Sequence, residues 1–297
     1  MLAKDFRGTY TALVTPFDTS FAIEWSSFDK LIDAQLAGGI TGIVPCGTTG
    51  ESPALTAGEQ EALVKRCVER AKGKTQIIAG TGSNSTKTTI ELATAAKNAG
   101  ADAIMVVVPY YNKPTQEGLF LHYTSVAAAV PLPMMIYNIP GRTGIDLLPD
   151  TVGRILEKCP SVVAMKEATG NILRAQELVR RFGSRLSVLS GDDALTLGMT
   201  AVGGSGVVSV ATNLFPKEIT QSTALALSGS PEARAKHLAL VPVYDVMFTE
   251  SNPGPVKYAL ERKGQMRNIL RAPMAPISEA SQALVSKVVA AFEGARA

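Results

Sequence analysis

An eightfold alternation constrains this chain more than anything else in it. Short β-branched or apolar runs are each followed by a longer stretch with apolar residues three and four apart, and the pair recurs until about residue 228. The predicted strands are TYTALVT from Thr9, GIVP from Gly42, QIIAG from Gln76, AIMVVVP from Ala103, PMMIYN from Pro133, VVAMKE from Val162, LSVLS from Leu186 and GVVSV from Gly206. They are nearly continuous in apolar residues, as parallel strands covered on both faces must be. Between them, spacings such as Phe28, Leu31, Ile32, Gln35 and Leu36, or Leu63, Val64, Cys67 and Val68, mark helices with one buried face. Eight βα units match an α/β fold of the (β/α)8 type, a TIM barrel, typically about 250 residues long. An open doubly wound sheet would show the same alternation, and the count of eight favours the barrel. The expected organisation is a barrel over residues 1–228, carrying any active site, and a helical C-terminal region over 229–297. Breaks are expected there at Pro242, Pro253, Pro255, Pro273 and Pro276.

Composition narrows the function classes. Apolar residues make up 46% of the 297 and charged residues 19%, which excludes disorder for the bulk of the chain. The net charge is only +3, and no basic run is interleaved with aromatics, so nucleic acid is not an expected partner. No apolar window reaches the roughly 18 residues of a spanning helix, and the start, MLAKDFRGTY, is too polar for a signal peptide. A cytoplasmic protein without membrane contact is expected. Cys46, Cys67 and Cys159 are widely spaced and odd in number, which argues for reduced thiols. His122 and His237 are the only histidines and are expected to be packing or surface residues. No metal and no cofactor are expected.

In a barrel the chemistry lies at the C-terminal strand ends and in the loops that follow. Those positions are polar here: CGTTGES (Cys46 to Ser52), PYYNKP (Pro109 to Pro114), YNIPGRTG (Tyr137 to Gly144), KEATGN (Lys166 to Asn171) and SGDD (Ser190 to Asp193). Lys166 stands in an otherwise apolar strand, where a charged amine is costly unless paired or neutralised. A desolvated lysine becomes a nucleophile able to form a Schiff base with a ketone; the alternative is a salt bridge to Glu167 or Asp192. Schiff-base chemistry needs a proton shuttle, and without a loop histidine the candidates are hydroxyls, Tyr137 first because its strand neighbours that of Lys166. Tyr137 could equally cap the barrel mouth, and Tyr110 and Tyr111 could be packing or interface residues. GTTGE offers adjacent N–H groups and two hydroxyls to a small carboxylate. Arg142 could hold a second carboxylate bidentately or remain a solvated charge. Asp192 and Asp193 are expected to cap the helix from Ala194. GTGSNS from Gly80 lacks the third glycine of a dinucleotide fingerprint, and GGSG from Gly203 precedes a strand, though it could line a phosphate site.

Taken in order, GTTGES, PYYNKP, YNIPGRTG, KEATGN, SGDD, GGSGVVSV and ESNPGPVK resemble the 4-hydroxy-tetrahydrodipicolinate synthase (dihydrodipicolinate synthase) family, from about Gly8 to Ala275. The lysine and its YN..G surroundings alone are similar to the wider group that includes N-acetylneuraminate lyase. The resemblance implies an imine between Lys166 and pyruvate, conversion to an enamine, attack on the aldehyde of aspartate semialdehyde, and displacement of the lysine by the substrate's own amine. It implies that Tyr137 moves protons at the imine carbon, with Thr48 and Tyr111 completing the relay and Tyr111 coming from a neighbouring subunit of a homotetramer, a dimer of dimers. Thr49 matches the pyruvate-carboxylate site, Arg142 the group receiving the semialdehyde, and Gly191 and Val208 backbone positions lining the lysine pocket. The GRT segment separates this family from the sugar-acid aldolases, which, with a non-catalytic barrel, are the competing readings. Ser251 stands where the family often has proline.

The resemblance also bears on regulation. Lysine-inhibited members carry an effector site, and Ser52, Asn84 and Tyr110 match it. Thr88 stands where a carboxylate would hold the effector's amine, and Gln60 where histidine is frequent. Weak or absent feedback inhibition by L-lysine is therefore expected, unless Glu59 or Glu91 substitutes.

Overall fold

A computed structural model describes residues 1–71 and 73–295. Eight strands, β1 (Gly8–Ala12), β2 (Gly42–Val44), β3 (Gln76–Gly80), β4 (Ala103–Val107), β5 (Met134–Asn138), β6 (Val162–Glu167), β7 (Ser187–Ser190) and β8 (Gly206–Ser209), follow one another round a closed barrel. All neighbouring strands pair in parallel. The helices α1 (Trp25–Ala37), α2 (Ala57–Ala71), α3 (Thr86–Asn98), α4 (Gln116–Ala129), α5 (Pro140–Thr143), α6 (Pro149–Lys158), α7 (Ile172–Phe182), α8 (Thr196–Ala201) and α9 (Pro216–Ser228) occupy the connections. Beyond them come α10 (Ala233–Val246), α11 (Gly254–Arg262) and α12 (Glu279–Gly294). The sequence expectation of eight strands and a barrel holds, with the strand ends moved by a few residues.

Strand pleating sorts the core into two layers. One set, including Tyr10, Val44, Ile78, Met105, Met135, Ala164, Leu189 and Val208, fills the barrel interior. The intervening residues, such as Ile43, Ile104, Ile136, Met165 and Val188, pack outward against the helices. Alternation along β5 and β6 therefore places Tyr137 inside the barrel with Met135, and turns Asn138 and Glu167 the other way.

The barrel closes where β8 meets β1, with Gly206 opposite Gly8. A Cβ on Gly206 would lie 1.9 Å from the Gly8 carbonyl oxygen, so the seam admits no larger residue there. This also removes the phosphate reading of GGSG: Gly203 to Gly206 enter β8 at its N-terminal end, opposite the mouth that carries the polar loops.

One expected break is overturned. Pro242 lies within α10. It sits on the exposed face, and the carbonyl it leaves without a partner belongs to exposed Leu238, while Leu240, Val243 and Tyr244 hold the opposite face in the core. Pro253 and Pro255 do mark the start of α11, and Pro273 and Pro276 lie between α11 and α12. No described helix is long and apolar enough to cross a membrane.

Candidate active site

Lys166 is 5% exposed near the C-terminal end of β6. Its register partner across the β5–β6 ladder is Tyr137, and its Nζ lies 4.1 Å from the centroid of that ring. The alternative of a salt bridge does not hold. Lys166 has no ion pair among the described residues. Glu167 faces the helix layer, where it accepts from the Thr169 N–H and from Asn138 Nδ2. Burial pushes the Glu167 carboxyl pKa up, against those hydrogen bonds. Asp192 instead accepts from the Ala194 N–H, capping the turn as expected. Asp193 does something the sequence did not suggest: it accepts from Ser209 Oγ and from the Val210 and Ala211 N–H groups, tying the loop after β8 to that after β7. Burial raises its carboxyl pKa.

Gly191 and Val208 are the two backbone positions expected to line the lysine pocket. A Cβ on Gly191 would meet Lys166 Cε at 3.1 Å and Cγ at 3.2 Å, so the lysine stem lies directly on that glycine. Val208 lies in the interior layer together with Tyr137 and Leu189.

The loop after β2 turns sharply between two left-handed residues, Cys46 (φ 58°) and Glu51 (φ 56°). Gly50, Glu51 and Ser52 spend their N–H groups on Gly47 and Thr48 carbonyls. The N–H groups of Thr48 and Thr49 make no hydrogen bond to any described residue, which leaves two adjacent donors for an anion. Thr48 and Tyr137 line one small cavity of about 30 Å³ with Gly47, Ser52 and Gly80, enough room for a water between two hydroxyls. Cys46 is no rival nucleophile: burial pushes its thiol pKa up to about 12.

Arg142 sits in the one-turn α5, exposed, with Nη2 donating to the Asn252 carbonyl at 3.3 Å. Asn252 also donates through Nδ2 to Thr49 Oγ1 at 2.9 Å, so one residue before α11 touches both proposed carboxylate binders. Tyr111 is the expected site residue that the protomer leaves outside: it is 87% exposed, with φ at 73°. Among the residues expected at an effector site, Ser52, Asn84 and Tyr110 are part-buried. Gln60 Nε2 donates to the Ser52 carbonyl, and the Asn84 carbonyl accepts from Asn112. Glu59 is held by Arg271 and Thr56, which pull its carboxyl pKa down to about 2, and exposed Glu91 lies 3.9 Å from Lys87.

Sequence reading missed three groups. Asn138, fully buried, donates to Asp146 at 2.8 Å and accepts from the Leu147 N–H, and Arg174 grips Asp146 with both terminal nitrogens. Lys257, 0% exposed, pairs with Glu51 at 2.5 Å. Its place beside Val256 and three before Leu260 on an apolar helix face was a legible signal. The third is Asn252, which lies inside the ESNPGPVK motif but was given no role by the sequence. His122 and His237 pack as expected, against Thr86 and the Ala194 carbonyl. The cysteines are free and buried, and no group of three or more His, Cys, Asp or Glu among the described residues is placed to hold a metal ion.

A closed parallel barrel with an unpaired, buried lysine beside a tyrosine at its C-terminal mouth defines an enzyme of the Schiff-base lyase class. The family model of the dihydrodipicolinate synthetase family matches residues 5–292, and the chain belongs to that family. A Sorangium cellulosum (strain So ce56) protein named 4-hydroxy-tetrahydrodipicolinate synthase is 50% identical, over 97% of this chain and 97% of its own. The solved structure of 4-hydroxy-tetrahydrodipicolinate synthase from Methylacidiphilum fumariolicum SolV superposes with a TM-score of 0.95 at 43% identity, covering 97% of this chain and 96% of that one. Dihydrodipicolinate synthase from Aquifex aeolicus gives 0.95 at 42%, covering 97% and 98%.

Proposed function

We propose that this chain acts as a 4-hydroxy-tetrahydrodipicolinate synthase, condensing pyruvate with aspartate 4-semialdehyde in lysine and diaminopimelate biosynthesis. The observation that carries the chemistry is Lys166, buried and unpaired, with Tyr137 against its amine. Nζ attacks the pyruvate ketone, water leaves, and the imine gives up a methyl proton to become an enamine. The enamine carbon bonds to the aldehyde carbon. The semialdehyde's amine then attacks the former ketone carbon, releases Lys166 and closes the ring.

Tyr137 serves as the proton carrier at the imine carbon, with Thr48 next in the relay. The free N–H groups of Thr48 and Thr49, with the Thr49 hydroxyl, hold the pyruvate carboxylate. Arg142, exposed above the mouth, receives the semialdehyde carboxylate, and Gly191 and Val208 shape the pocket. Tyr111 supports the reading of a shared site: a tyrosine held almost fully exposed in a left-handed conformation is suited to reach into a neighbour. The assembly that follows is a homotetramer built as a pair of dimers, in the cytoplasm. Pyruvate, aspartate semialdehyde and copies of the chain are the only partners this chemistry requires.

Borohydride reduction in the presence of pyruvate tests the reading. A stable adduct on Lys166, with turnover of aspartate semialdehyde outpacing sugar aldehydes, is the expected outcome. An adduct on another lysine, or none, removes the mechanism; faster turnover of a sugar aldehyde moves the chain to the sugar-acid aldolases.

A further inference from the structure

Lys257 is the more deeply buried of the two lysines near the mouth, yet its amine is fully engaged. Nζ donates to Glu51 Oε1 at 2.5 Å and to the Ile269 carbonyl at 2.7 Å, and lies 4.4 Å over the Phe17 ring. The second carboxylate oxygen of Glu51 accepts from the Arg271 N–H at 3.0 Å. Both oxygens are thus fixed by the segment that runs from α11 to the loop beyond it. Glu51 itself sits two residues after Thr49 and three after Thr48, in a left-handed conformation uncommon for a residue with a side chain.

A buried ion pair generally adds no stability over an apolar pair of the same shape, because both charges must be stripped of water. What it does supply is a single geometry. Here that geometry sets the end of the turn that carries the two N–H groups without a hydrogen bond, and Asn252, five residues before Lys257, grips the same turn at Thr49.

We infer that Glu51 and Lys257 are positioning residues for pyruvate capture: they fix the turn from Cys46 to Ser52 so that the Thr48 and Thr49 donors meet the carboxylate. Neither residue touches substrate. The inference rests on Lys166 being the nucleophile for pyruvate.

Borohydride trapping over a pyruvate series separates this role from simple support of the fold. Lys257→Met should raise the half-saturating pyruvate concentration about tenfold or more, while the limiting trapping rate stays within about threefold of wild type. It should also lower the melting temperature, since the buried Glu51 carboxylate loses its cationic partner. The double variant Lys257→Met with Glu51→Gln removes both charges. It should regain most of the melting temperature but keep the raised half-saturation. Recovery of both together, or half-saturation within about twofold of wild type in either variant, would overturn the inference. Should Lys257→Met fail to fold, Glu51→Gln alone, which preserves the side chain's shape, is read by the same criterion. Wild-type protein that forms no adduct would instead defeat the assignment of Lys166.

Discussion

Tyr137 and Lys166 face each other across one rung of the β5–β6 ladder, so the hydroxyl and the amine are placed by backbone pairing rather than by flexible loops. Tyr137→Phe keeps the ring over the amine and removes only the hydroxyl, the proposed proton carrier. Turnover is expected to fall about 10²- to 10⁴-fold, the usual contribution of one general acid–base group, with little change in melting temperature. Steady-state kinetics and a thermal melt check this; a loss below fivefold would show that another group carries the proton. Gly191→Ala tests the opposite face. The added methyl meets Ala168 Cβ at 2.6 Å and the Lys166 stem at 3.1 Å, which should slow imine trapping and destabilise the fold by about 1–3 kcal/mol in a denaturant titration. Arg142→Ala should mainly weaken use of the semialdehyde and leave pyruvate trapping nearly intact; equal damage to both steps would make the arginine structural.

Between elements, polar side chains in the helix layer do the tying. Asn138 joins the end of β5 to the segment after α5 through Asp146 and Leu147, and Arg174 of α7 grips the same aspartate. Asn138→Ala would leave the buried Leu147 N–H without a partner and free the turn that carries Arg142. A loss of about 2–3 kcal/mol in chemical denaturation is expected, together with a raised KM for the semialdehyde. His122 links α4 to Thr86 of α3 and is kept neutral, because burial pushes its pKa from 6.5 down to about 4. The unfolded chain takes up this proton first, so stability is fully present above about pH 6.5 and falls as pH drops toward 4, by up to about 3 kcal/mol from this group. His122→Gln should flatten that part of the stability profile; an unchanged slope between pH 6.5 and 4 would assign the acid sensitivity to other groups.

At the scale of the molecule, the protomer sets Lys166 beside Tyr137 and joins Thr49 to Arg142 through Asn252, but leaves Tyr111 exposed. Tyr111→Phe should lower turnover while imine trapping persists, and sedimentation should show an oligomer; a fully active monomer would refute a shared site. The expected response to L-lysine follows from the side chains available to hold its amine. Thr88 cannot neutralise an ammonium, and Glu59 is already committed to Arg271. A missing charge-assisted hydrogen bond to a desolvated amine costs about 2–5 kcal/mol, so initial rates should respond weakly, if at all, to added L-lysine. Cooperative inhibition at low lysine concentration would show that Glu91 or another carboxylate takes that place.

Sequence alone determined the barrel, because each βα unit announces itself locally through apolar periodicity, and eight such units leave little choice of closure. It also determined the motifs at the strand ends, since a lysine inside VVAMKE conflicts with its surroundings wherever the strand is placed. Tertiary structure decided which neighbours matter. Glu167 is adjacent to Lys166 in the chain yet lies on the other face of the strand, because side chains alternate, and so the local salt bridge fails. Glu51 and Lys257, or Thr49 and Asn252, meet across some two hundred residues. No periodicity records such a meeting, since it depends on where α11 lands once the barrel has closed. The same reason explains Pro242: its position forbids a backbone hydrogen bond, but whether the helix breaks there is settled by the packing of Leu240, Val243 and Tyr244 on the face opposite.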